Sequence, residues 1–589
     1  MIELISRFGN KLLFTPKRLA ISTLLAASLL QGCTFSQQKA DNVVEETPSK
    51  PKAPTKIADR SFSTDTLYAL LVAEMAIDRK RYDIALNNYV QQSLSTRDLE
   101  VTARATQIAR ILKAHQPALE MAELWVELEP DSEDALLIAN AELIEANRLE
   151  EAVELSTRIL KNGGATAFDA IAVRATEGDI ETVRKLSHNY AKLLQQYPEE
   201  QQLLLGNSVL LQQDGRFHEA LTSITQVLRQ DPNHLRAAFQ ETRILQQMGK
   251  QDLALKKLAA LVENNPDNVT LRARYARIVA ATDLNESRKQ FEALHKQAPS
   301  DPEIQFSLAI VEKESGHLSS AEQHFKALIL SGYYLSPAHY HLGDIYENRN
   351  QEELALGHYQ SVGAGPHYLG AMARATGILS NSDREIDALN MIRDQRKQAE
   401  GSDREGLFIL ESEVMSTAGQ MSAAETVLSN GLSEFPESTR LLYSRAMLYT
   451  RIDYIAAAEQ DLKLVISLTP TNAAALNALG YTLADRTERV EEAYSYIMKA
   501  YALTPEDPAV IDSLGWVEYR RGNFQAALVR LRQAMKVMPD HEIAAHLGEV
   551  LWVTGGEAEA VKVWKQGLHL NPQSSVIRDT LHRLKVDLD

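Results

Sequence analysis

Apolar residues recur along most of the chain at three- and four-residue intervals, and the recurrence is interrupted at regular points. The stretches "AALVRLRQAMKVMP" (526–539) and "AEAVKVWKQGLHLNP" (558–572) each carry one apolar stripe at helical spacing and stop at a proline. Strand-like alternation is nearly absent, so the pattern predicts an all-α chain of short helices. The stops are periodic. Pro198, Pro232, Pro266 and Pro299 form one run, and Pro436, Pro470, Pro505, Pro539 and Pro572 form another, with 33 to 35 residues between neighbours. Pro130 and Pro366 fall two periods from the first run, so one register extends from Pro130 to Pro572.

Two small residues keep the same register. Twelve positions before these rungs stands an alanine: Ala118, Ala152, Ala220, Ala254, Ala321, Ala424, Ala458, Ala493, Ala527 and Ala560. Seventeen before stands a glycine: Gly215, Gly249, Gly316, Gly419, Gly522 and Gly555. Glycine permits a tight turn between two helices, alanine lets the pair approach closely, and proline ends one unit and starts the next. A helix-turn-helix period of about 34 residues resembles the tetratricopeptide repeat, or TPR. In "PAHYHLGDIYENRNQEELALGHYQSV" (337–362), Leu342, Gly343, Tyr346, Ala355 and Tyr359 fill that repeat's leucine, glycine, tyrosine, alanine and aromatic slots. Leu479-Gly480, Leu514-Gly515 and Leu547-Gly548 continue the register. Leu186 and Ser287 stand where alanine belongs, in units that fit poorly.

The resemblance implies a right-handed superhelical solenoid in which each unit buries its apolar face only against its neighbours. The predicted organisation is a leader over 1–32, an acylated Cys33 and flexible tether over 33–61, about fifteen units over 62–573 and a capping helix over 574–589.

The N-terminus changes the picture from a repeat array to an anchored one. Arg7, Lys11, Lys17 and Arg18 precede the apolar run "LAISTLLAASLL" (19–30), and Gly32 stands just before Cys33, the single cysteine among 589 residues. A basic start, a short apolar segment and a small residue before the cut describe a secretory signal, too short for a stable membrane span. With cysteine at the cut it resembles the bacterial lipoprotein signal, in which that cysteine is acylated. Leu30 and Gly32 fit the lipobox, whereas Gln31 is larger than its usual occupant. The resemblance implies lipid anchoring, and Thr34 rather than Asp after the cysteine points to the outer membrane, with the protein facing the periplasm. Residues 34–61 are polar with three prolines and read as a tether reaching about 30 Å.

Charge then narrows the partners. The net charge of −17 becomes −20 once the leader, with four basic residues and one acidic, is removed. That argues against nucleic acid and against charge-driven adhesion to anionic surfaces.

Candidate chemistry is sparse. "HEIAAH" (541–546) places two histidines five apart, whereas zinc ligation from one helix face needs four. His339, His341, His358 and His367 cluster in one unit and read as solvated or groove histidines. "GAGPHYLG" (363–370) lacks the phosphate-loop spacing and reads as an inter-unit loop. No G-x-S-x-G elbow is present. The sequence therefore predicts no enzyme, no metal and no cofactor.

What remains is the inner groove. Positions 2, 5, 9 and 12 of a TPR unit line its concave face, and here they carry Tyr443, Asn477, Tyr481, Asp512, Trp516, Tyr519, Glu549 and Trp552. Large aromatics flanked by polar groups suit a binding surface. Trp564 falls in a core slot, and Tyr340, Asp344 and Glu347 form a second, weaker patch. The segments "LNALGYTLADRTERVEEA", "DPAVIDSLGWVEYRRGNF" and "IAAHLGEVLW" resemble a proteobacterial family of TPR lipoproteins of the outer membrane. That family includes a binding partner of the periplasmic carboxyl-terminal processing protease. The likeness implies an adaptor that holds the protease and presents substrates such as peptidoglycan hydrolases. A scaffold for assembly or secretion of pili, exopolysaccharide or outer-membrane proteins is the alternative.

Overall fold

The structure is a computed structural model that describes residues 61–588. Among them lie 31 α-helices and no strand, from Thr64–Asp78 to Ser575–Leu584. They pair as fifteen antiparallel hairpins, each an A helix followed by a B helix, and the helix Ser575–Leu584 closes the series. The chain divides into two compact units, residues 61–290 and residues 291–588, with the boundary inside the helix Leu284–Gln297. No helix among the described residues is long and apolar enough to cross a membrane. The leader, Cys33 and tether residues 34–60 lie outside the described residues.

The two helices of a hairpin start in different ways, and the sequence shows why. Most A helices are capped by a side chain. Asp507 accepts the backbone N–H of Ala509 with Pro508 in the first turn, and Ser438, Asn472 and Asp540 cap the helices that follow them. Most B helices lack such a cap and instead follow a residue in the left-handed region. Gly522 holds φ +79° there, and Asp453 takes the corresponding turn at φ +66°, the kind of substitute that Asn and Asp permit.

Packing within each hairpin depends on the small residues. All ten of the periodic alanines are buried. Leu186 is buried in that slot too, and Ser287 is accommodated because its hydroxyl donates to the carbonyl of Ala276 at 2.8 Å. Opposite the alanine, glycine brings the helices into contact. A Cβ on Gly548 would sit 2.2 Å from Nε1 of the fully buried Trp564. Within each unit the core therefore runs along the series as clusters shared between adjacent hairpins, one of them extending from Leu442 to Ile577.

Candidate functional site

The predicted stripe lies on the A helices Thr439–Arg451, Ala473–Arg486, Pro508–Arg520 and His541–Val553, all in the unit 291–588. Asn477, Tyr481, Asp512, Trp516 and Glu549 are buried, whereas Tyr443, Tyr519 and Trp552 are half-buried. The structure brings five of these eight together by way of two residues that sequence reasoning did not assign to the site, His546 and Arg583.

His546 is the hub. Its Nδ1 lies 2.9 and 3.1 Å from the two carboxylate oxygens of Asp512, and facing only acceptors it donates. Its Nε2 accepts from the Tyr481 hydroxyl at 3.3 Å. Trp516 stacks on the same imidazole, with ring centroids 4.4 Å apart, and Tyr519 packs 5.1 Å from Trp516. The Tyr519 hydroxyl donates to Glu549 at 3.1 Å, and the Arg583 guanidinium holds both oxygens of that carboxylate at 2.8 and 2.6 Å. Trp552 sits apart from this network, tilted against the core residue Trp564 at 5.8 Å.

Electrostatics follow the burial. Enclosure, with the charges of Asp485 and Asp512 nearby, pushes the Tyr481 hydroxyl well above its usual range. Burial and the adjacent Glu549 push Tyr519 up to about 12. A chain of carboxylate, imidazole and hydroxyl has the outline of an activated nucleophile, but here the hydroxyl is held more firmly protonated than in water. The arrangement fixes three A helices to one another and stiffens the wall.

Three atoms in this wall stand out. Tyr443 Oη, Asn477 Oδ1 and Trp516 Nε1 are enclosed and have no hydrogen-bond partner among the described residues. They belong to three successive A helices at groove-lining positions. A buried polar group without a partner is costly, on the order of 1–3 kcal/mol each, and native proteins keep few of them. All three are shielded from solvent, so they belong to the packing of the wall rather than to its open surface, which Tyr443, Tyr519 and Trp552 supply with half-buried rings.

The weaker patch is internally paired. Asp344 meets Lys313 at 2.6 Å, Glu347 meets Arg374 at 2.8 Å and accepts from Tyr359 at 2.7 Å, and Tyr340 stacks on His367 at 4.7 Å. The neighbouring histidines take different contacts. Nδ1 atoms of His339 and His358 lie 2.9 Å apart, whereas His341 is buried against Phe325. No group of three or more metal-ligating side chains occurs among the described residues.

Comparison with known proteins now assigns the family. The TPR repeat-containing protein PA4667 of Pseudomonas aeruginosa is 39% identical over 539 residues, which cover 90% of each chain. The chain belongs to the tetratricopeptide-repeat family. No family model matches it. Among solved structures, TTC0263, a thermophilic TPR protein of Thermus thermophilus, aligns with 31% of this chain and 100% of its own, at 22% identity and a TM-score of 0.29. Yeast Tom70 aligns with 88% of this chain and 99% of its own, at 13% identity and a TM-score of 0.33. At such scores neither carries an argument about geometry or partners. Membership identifies the array as a protein-interaction scaffold, and the hub of His546 is then a feature of this TPR chain's own groove.

Proposed function

We propose that this TPR protein is a non-catalytic adaptor, anchored to the periplasmic face of the outer membrane through acylated Cys33. It binds a carboxyl-terminal processing protease and presents protein substrates such as peptidoglycan hydrolases. The observation that carries the binding role is the row of half-buried aromatics, Tyr443, Tyr519 and Trp552, at groove-lining positions of the A helices. An extended segment laid on it would cover these aromatics, the kind of contact that concentrates binding energy. The finer assignment to a protease rests on the resemblance of the C-terminal segments to LbcA, the lipoprotein partner of that protease. Tethering both proteins to one array raises their effective concentration without new catalytic groups.

The test uses the full-length protein purified from membranes, together with its Trp516→Ala/Tyr519→Ala/Trp552→Ala variant, as baits in periplasmic extract. Retention of a serine protease and cell-wall hydrolases by the wild type, lost in the variant, supports the adaptor. Retention of secretin, pilin or polysaccharide-export components instead supports an assembly scaffold and overturns the adaptor. Because Trp516 is buried, Tyr519→Ala/Trp552→Ala serves as the milder variant. Unchanged capture by a variant that melts like the wild type removes this stripe from consideration. Labelled palmitate incorporated by the wild type but not by Cys33→Ser tests the anchor.

A further inference from the structure

Arginine in this array characteristically meets a carboxylate on a neighbouring hairpin. Arg97 meets Glu127 at 2.7 Å, Arg184 meets Asp214 at 2.8 Å, Arg489 meets Glu459 at 2.7 Å and Arg521 meets Glu491 at 2.9 Å. Arg243, on the helix Leu235–Gln247, and Arg274, on the helix Val269–Val279, depart from this pattern. Neither has a carboxylate or hydrogen-bond partner among the described residues. Their surroundings make this costly. Residues 235–279 hold eight basic and four acidic side chains, in a chain whose net charge is −17. One of those acids, the buried Glu241, is already taken by Lys257 at 2.5 Å.

Arg274 is half-buried, and its guanidinium lies over the ring of Phe239, 4.0 Å from the centroid. Burial together with the charges of Arg243 and Arg277 lowers its pKa. A guanidinium laid on an aromatic face keeps its planar fork of N–H groups available at the edge, the geometry that grips a carboxylate with two bonds.

We propose that Phe239, Arg243 and Arg274 form a second docking site, which takes a short acidic segment of a protein partner. Arg274 would grip one carboxylate while Arg243, exposed on the preceding A helix, would hold the next. A short peptide fits better than an extended polyanion. The chain's overall negative charge repels nucleic acid or an anionic membrane at long range, whereas a few local carboxylates are attracted within a Debye length of about 8–10 Å. The inference rests on the reading of the protein as a binding scaffold but not on the identity of its partners. It would give the scaffold two chemically different surfaces, an aromatic stripe near the C-terminus and a basic clasp in the unit 61–290.

The test titrates full-length protein against a fluorescent peptide carrying four consecutive glutamates and against its glutamine counterpart, by anisotropy. The glutamate peptide is expected to bind, to weaken as salt rises, and to lose roughly ten- to a hundred-fold in affinity with Arg274→Ala. Arg274→Lys should recover only part, because charge returns without the fork. Tyr519→Ala/Trp552→Ala should leave this titration unchanged, so failure of the C-terminal stripe and failure of this site are distinguishable. Arg243→Ala, at an exposed position, provides the variant that cannot act through misfolding. Equal binding of the glutamine peptide, or no change in either arginine variant, overturns the proposal. Phosphatidylglycerol vesicles that bind through the same two arginines, while the peptide does not, overturn it in favour of lipid.

Discussion

Replacing Gly548 with alanine tests how the hairpins are held together. The added Cβ would lie 2.2, 2.5 and 2.6 Å from Nε1, Cε2 and Cδ1 of Trp564. Those distances are far inside van der Waals contact, and the obstacle is a rigid ring rather than the end of a flexible chain. Trp564 has no exposed surface into which it could swing, and its indole nitrogen donates to the carbonyl of Ala545 at 3.4 Å. The helices His541–Val553 and Glu557–Leu570 must therefore separate. Overpacking of this kind costs about 3 kcal/mol, and the better helix propensity of alanine returns about 1 kcal/mol, leaving a net loss of about 2 kcal/mol. Repeat arrays unfold in parts, so a single melting curve would dilute the effect. Hydrogen exchange read on peptides covering 541–570 is the suitable assay, and a loss of about 2 kcal/mol predicts roughly thirty-fold faster exchange there. Gly357, in the helix Glu352–Gln360, is the matched control because a Cβ there meets nothing within 4 Å. Gly357→Ala should stabilise its hairpin by about 0.5–1 kcal/mol. If Gly548→Ala exchanges as slowly as the wild type, close approach at the glycine does not set the hairpin geometry.

Two further outcomes follow from buried charge. Burial, with His339 alongside, lowers the His358 pKa to about 4 from an ordinary value of 6.5. The unfolded chain then takes up a proton first, so stability should fall as pH drops from 6.5 to about 4 and be insensitive above that window. His358→Gln should flatten that slope in melts across about pH 4–7, and an unchanged slope would refute the assignment. Arg583→Ala should destabilise the last hairpin by about 1–2 kcal/mol, because it leaves the Glu549 carboxylate, only 3% exposed, with the Tyr519 hydroxyl as its remaining donor. Adding Glu549→Gln should recover part of that loss in urea unfolding, whereas simple additivity would show that the pair is not coupled.

The contrast between local and distant information runs through the candidate site. Asp512 and His546 are one rung apart in the sequence, so their common register is legible there. The sequence sets the pair of histidines at 541 and 546 against zinc ligation by their spacing, but it gives no sign that they part company. In the structure His541 faces Ser574 at 3.0 Å while His546 turns to Asp512. Tyr481 reaches the same imidazole from two rungs away, a contact set by how far adjacent hairpins rotate. Arg583, on the closing helix, belongs to no repeat slot, so no periodicity argument could bring it to Glu549. The missing partner of Arg274 is equally invisible in one dimension, because carboxylates are plentiful in the chain and only their placement leaves it unmatched.

By itself the sequence determined the all-α class and the helical pattern, because spacing of apolar, alanine, glycine and proline residues acts over a few turns of chain and needs no distant partner. The expectation of a leader and an acylated Cys33 likewise rests on the local order of residues alone. Tertiary structure decided which groove residues are enclosed, which polar atoms go without partners and which arginines lack an acid. Those properties depend on the angle at which each hairpin packs on the next, and that angle is set by contacts 30 to 65 residues apart.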